Sequence, residues 1–188
     1  YAYHDADDSL ALYNLMIPPW FYYAQSIPKP FQEIINGATG SQVNSLMVRS
    51  YIQDRKSIPL ASEKAEYEGG ISFGNPGVYT DVKKVDVASL YPSIILTYKI
   101  QDKVKDPDGN FLNMVQYFTT ERLKNKKLGK EHKFNKDLSD SQKIMINSAY
   151  GFMGANGLNF NYPKGASETT RIGREILQEG CRSEPGVF

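Results

Sequence analysis

Two short stretches carry residue types whose spacing can do chemistry. The first is Asp86-Val-Ala-Ser89-Leu90-Tyr91-Pro92-Ser93-Ile-Ile95. Val82, Val85 and Val87 make 82–87 an expected strand, and Pro92 opens a short helix at a position that proline tolerates. A carboxylate near the end of an apolar strand, before a tight turn into a helix, is a good seat for a divalent metal. The N–H groups of the turn and helix start stay free for phosphate oxygens. Tyr91 would floor the same pocket. The plainer alternative is a half-buried Asp86 capping a helix, with Tyr91 in the core.

The second stretch is Lys143-Ile-Met-Ile-Asn147-Ser-Ala-Tyr150-Gly151. Positions i, i+4 and i+7 share one helix face, so Lys143, Asn147 and Tyr150 point the same way. A cation, an amide and an aromatic ring on one face can hold a triphosphate, orient a ribose and stack on a base. Gly151 lets a ligand approach the backbone. The plainer alternative is an amphipathic helix with Lys143 in solvent and Tyr150 in the core.

Several elements must position these residues. An acidic start (Asp5, Asp7, Asp8) and the face Leu10, Tyr13, Ile17 predict a helix over 5–17, ended by Pro18-Pro19. Helices are expected over 28–38 and 41–53. Residues 54–70 mix charge, Pro and small residues and form the best internal boundary. Residues 71–87 are β-like, with a turn at Asn75-Pro76-Gly77. Asp106-Pro-Asp-Gly-Asn110 is a turn; it is no calcium loop, because Tyr117 stands where that loop needs an acid. Helices are expected over 114–131 and 139–153, the second capped by Ser139 and Asp140. Asn156-Gly157 before Leu158, Phe160 and Tyr162 suggests a hairpin. A last helix is expected over 165–180.

The 188 residues carry 22 Lys/Arg and 21 Asp/Glu, a net charge of +1, so no global basic footprint advertises nucleic acid. Residues 121–147 nevertheless hold eight Lys/Arg against four Asp/Glu. Hydrophobic residues make up 40%, and no apolar run is long enough to cross a membrane. A single cysteine, Cys181, excludes an internal disulfide.

In this order, DxxSLYPSII and then KxxxNSxYG resembles the family B DNA polymerases, as motif A of the palm and motif B of the fingers. Tyr67-Glu-Gly69-Gly70 resembles the YxGG segment that joins exonuclease and polymerase domains and contacts the template. Tyr1-Ala-Tyr-His-Asp5 is similar to the third exonuclease motif, YxxxD, whose Asp binds metal; Tyr3 to Asp7 has the same spacing, and Asp5 is favoured. Residues 166–174 resemble the helix after motif B.

The resemblance implies a mixed α/β fold: a partial palm with a small antiparallel-type sheet, two-helix fingers and a helical N-terminal segment. Residues 1–53 would end the exonuclease domain, with a linker at 54–70. Palm would follow at 71–113, fingers at 114–153, and a return to the palm at 154–188. Asp86, helped by the Val87 carbonyl, would ligate two Mg²⁺ ions. The amides of Ser89, Leu90 and Tyr91 would hold phosphates, and Tyr91 would exclude ribonucleotides as a steric gate. Lys143 would bind the triphosphate and offset charge in the transition state. Asn147 would support Tyr91 or the sugar region, and Tyr150 and Gly151 would shape the base-pair pocket. Arg122 and Lys126 fit the RxxxK spacing that reaches the γ-phosphate.

The partners implied are a DNA primer-template and deoxynucleoside triphosphates, with no membrane. Motif C (YxDTDS), the thumb and the first two exonuclease motifs have no counterpart in these residues. The chain is therefore expected to be a polymerase segment that is inactive alone, completed by a motif C and thumb segment. A split-polymerase subunit and a non-catalytic DNA- or nucleotide-binding remnant are the alternatives. Short fingers suggest a virus or phage working in the host cell or cytoplasm.

Overall fold

A computed structural model describes residues 2–183 except 64, 73, 75 and 83–85, and it gives no side-chain placement for residues 2 and 181–183. Among the described residues seven helices run in order: α1 (Ala2–Ser26), α2 (Phe31–Asn36), α3 (Thr39–Gln53), α4 (Leu90–Thr97), α5 (Asn110–Leu128), α6 (Lys133–Gly154) and α7 (Pro163–Ser183). The described residues contain no strand.

Helix α6 is the central post because it presents a continuous apolar face to its neighbours. Met145, Ile146, Ala149, Phe152 and Met153 are all buried. It packs against α1, α3, α4, α5 and α7. Tyr23 and Ile27 at the end of α1, Val43, Met47 and Tyr51 of α3, Phe111 and Val115 of α5, Ile94 and Ile95 of α4, and Ala166 and Ile172 of α7 complete one core. Phe111 and Phe152 stack with ring centroids 5.6 Å apart, which sets α5 and α6 antiparallel. Four residues connect them, 129–132.

The expected α/β fold with a sheet is overturned. The described residues of 71–89 run as coil and turns, while Asn75 of the expected turn and 83–85 of the expected strand 82–87 lie outside the described residues. The flanks show why no sheet forms. Val78 is fully exposed, Val82 is 74% exposed and Val87 is 43% exposed, so these described valines are not buried against a core. An isolated strand with no partner ladder and no buried face is not stable in water.

The hairpin expected after Asn156-Gly157 is also absent. Gly157 does take the left-handed conformation of a turn (φ 75°). The chain then folds onto Asn161, whose buried amide bonds the carbonyls of Ser62 (3.2 Å) and Ala155 (2.9 Å). Side-chain bonding replaces the strand ladder here.

Helix boundaries differ from expectation at several ends, most at the end of α1 and the start of α6. Helix α1 continues through Pro18 and Pro19. Trp20 and Tyr23, just beyond, pack edge to face at 5.4 Å and anchor that turn in the core. Helix α6 starts at Lys133, so Ser139 lies inside it and is buried rather than capping it.

Candidate nucleotide-binding surface

Ser89 is the residue from which the site is built. It precedes α4 in the left-handed conformation (φ 53°, ψ 51°) and makes no side-chain cap. The first amides of a helix have no partner within it, so Leu90 and Tyr91 present their N–H groups at this end. Arg122, projecting from α5, donates from Nη1 to the Ser89 Oγ at 3.2 Å. Its Nε is buried without a hydrogen-bond partner. A guanidinium is thus held beside a helix N-terminus, an arrangement suited to phosphate.

Tyr91 sits one residue inside α4 and half-buried. Its ring lies 4.5 Å from the Tyr150 ring, centroid to centroid, at 37°. This pair joins the two stretches singled out in the sequence. Two glycines crowd Tyr91 further. A Cβ on Gly70 would stand 3.1 Å from the Tyr91 hydroxyl, and one on Gly173 would stand 3.2 Å from Cε1. Tyr150 is pressed in turn by Tyr67. Burial, and then the hydrogen bond with Tyr67, push the Tyr150 phenol well above its ordinary value.

Lys143, Asn147 and Gly151 are exposed along the same face of α6 as Tyr150. Nothing lies within 4 Å of a Cβ built on Gly151. Lys126 is exposed one turn beyond Arg122 on α5. Asp86 is exposed three residues before Ser89, and Val87 is 43% exposed. Asp5 is exposed in the first turn of α1, where its carbonyl accepts from Ser9 Oγ at 2.8 Å.

The donor set fits Mg²⁺ incompletely. Among the described residues no three His, Cys, Asp or Glu side chains gather to hold a metal ion. Asp86 and the Val87 carbonyl supply one carboxylate and one carbonyl, fewer protein oxygens than a two-ion site uses.

Sequence reasoning missed the clamp on the Tyr67–Gly70 segment. Arg174 on α7 donates from Nη1 to the carbonyls of Glu68 (2.9 Å) and Gly69 (2.6 Å), and its Nη2 lies 3.2 Å from Glu68 Oε2. The Thr170 hydroxyl also reaches the Glu68 carbonyl, at 2.9 Å. The only available signal was the TTRIGR string, whose Thr170 and Arg174 are one helical turn apart.

The chain is 25% identical to the DNA polymerase of Archaeoglobus fulgidus, over 97% of its own length and 27% of that protein. It is 31% identical to DNA polymerase II of Escherichia coli over 59% of the chain and 16% of that protein. Its backbone superposes on the family B DNA polymerase of Pyrobaculum calidifontis with a TM-score of 0.74, at 20% identity, over 93% of the chain and 27% of that protein. The chain is thus similar in sequence to DNA polymerases and in backbone fold to a family B DNA polymerase. It spans about a quarter of the length of the first relatives it matches. No family model matches it. These relatives are cellular proteins, so the viral or phage origin finds no support in them. No helix among the described residues is long and apolar enough to cross a membrane.

Proposed function

We propose that the chain forms the nucleotide-binding junction of palm and fingers in a DNA-directed DNA polymerase, adding deoxynucleotides to a primer 3′ end. The observation that carries this reading is the packing of Tyr91 on Tyr150, which brings the DxxSLYPSII and KxxxNSxYG stretches to one surface. Arg122 on Ser89 adds a guanidinium to the same end of α4.

In this reading Arg122, Lys126 and Lys143 bind the triphosphate, and the Ser89, Leu90 and Tyr91 amides hold its outer phosphates. Fixed cations at that position offset charge that develops as pyrophosphate leaves. Tyr91 lies under the deoxyribose and excludes a 2′-hydroxyl. Asn147 supports it, Tyr150 and Gly151 bound the base-pair pocket, and Tyr67, Gly69 and Gly70 meet the template strand. Bound Mg²⁺ would lower the pKa of the primer 3′-hydroxyl and neutralise the leaving group. Asp86 and the Val87 carbonyl would hold it, with further carboxylates from outside these 188 residues. The 188 residues alone are therefore expected to extend no primer. Asp5 would serve the exonuclease metal site.

Primer extension by the gene's full-length product tests the reading. Wild type should extend a primed template, and Asp86→Ala should abolish extension without changing the melting temperature. Undiminished extension by Asp86→Ala would remove Asp86 from the site.

A further inference from the structure

Tyr91 can discriminate a sugar only if its ring cannot retreat. The chain blocks retreat on three sides: Tyr150 faces the ring, Gly173 of α7 backs it, and Gly70 meets its hydroxyl. Two of these walls belong to helices in the core. The third, Gly70, belongs to a coil segment with no ladder or helix to hold it.

Arg174 holds that segment. One guanidinium spans the carbonyls of Glu68 and Gly69 and the Glu68 carboxylate. Its own side chain is 17% exposed, although the Glu68 and Gly69 carbonyls it reaches lie at the surface. Thr170 is a weaker tether, because its single proton is shared with the Ser167 carbonyl of its own helix, also at 2.9 Å. Arg174 also directly follows Gly173, so one turn of α7 supplies both the wall behind Tyr91 and the clamp on the wall at its hydroxyl.

We infer that Arg174 is a positioning residue for sugar selection: by fixing the Glu68–Gly70 backbone it keeps Gly70 against Tyr91 and sets the clearance under the incoming sugar. This rests on the polymerase reading above. Loss of a charged hydrogen-bond donor to two carbonyls is large enough to free a coil segment.

The test uses the full-length gene product and two readouts. Hydrogen exchange over 66–71 reports the clamp whether or not the protein polymerises. Single-nucleotide insertion with deoxy- and ribonucleoside triphosphates reports selection. Arg174→Ala should speed exchange and lower the deoxy-to-ribo ratio of kcat/KM about tenfold. Arg174→Lys should restore only part of it, since an ammonium cannot span both carbonyls. Arg171→Ala, which breaks only exposed pairs with Glu168 and Glu175 on α7, should change neither. Unchanged exchange in Arg174→Ala would overturn the clamp. Faster exchange with an unchanged ratio would overturn its role in selection. A wild type that inserts no nucleotide would overturn the polymerase reading and the selection role with it, while exchange would still decide the clamp.

Discussion

Arg122 and Ser89 meet across two helices, guanidinium to hydroxyl, at 3.2 Å. They stand 33 residues apart in the chain, and the contact ties α5 to the N-terminal end of α4. A hydroxyl is a weak partner for a guanidinium, and the unsatisfied Nε leaves donor capacity on the same side chain. A triphosphate would outcompete Ser89 for it. Arg122→Lys keeps the charge but loses the fork, so it should weaken nucleotide affinity about tenfold. Nucleotide titration under single-turnover conditions checks this, and Ser89→Ala should leave affinity near wild type.

Tyr91 makes its contacts with Tyr150 through the ring. Tyr91→Phe keeps that ring contact but loses the hydroxyl that meets Gly70, so it should lower sugar selection modestly, whereas Tyr91→Ala opens the floor of the pocket. Removing a steric wall of that size should raise ribonucleotide insertion roughly ten- to hundredfold relative to deoxynucleotide. Competing insertion of the two sugars on one template measures it.

The helix positions were legible because the apolar spacing is regular: Val43, Leu46, Met47 and Tyr51 mark α3 before any contact is known. The shared face of Lys143, Asn147 and Tyr150 followed from the same periodicity. The sheet was misjudged because alternating valines describe only a segment's willingness to be extended. Whether a ladder forms depends on a neighbour, and no described residue supplies one to 82–87. Pro18 and Pro19 misled for the opposite reason: local propensity argued for a stop, and packing of Trp20 and Tyr23 overrode it. Long-range polar contacts such as Arg122 to Ser89 and Arg174 to Glu68 leave no local pattern at all.

Asp106 caps α5 in place of the residue next to the helix. Gly109 is the formal cap and has no side chain to offer. The buried Asp106 carboxylate instead accepts the amides of Asn110 (3.1 Å) and Phe111 (2.8 Å) and the Tyr51 hydroxyl (3.0 Å). Asp106→Ala strands those donors and should cost about 2 kcal/mol or more. Asp106→Asn retains an acceptor and should cost less. Denaturant unfolding of both variants at neutral pH compares them.

Alkaline pH should unfold the protein through its buried phenols. Burial raises the Tyr51 phenol well above its ordinary 10.0, and the neighbouring Asp106 carboxylate adds to the shift. Tyr150 is raised by burial and by Tyr67. A phenol held protonated in the folded state contributes stability that is fully present below its unfolded value. That contribution is lost as pH rises, because the unfolded chain releases the proton first. Stability should therefore fall progressively above about pH 10. Tyr51→Phe removes one such proton, so its stability should be lower at neutral pH but decline less steeply with alkalinity. Denaturation midpoints measured from neutral pH upward, with tyrosinate absorbance followed in parallel, separate the two effects. An identical alkaline slope in wild type and Tyr51→Phe would show that Tyr51 ionises as readily folded as unfolded.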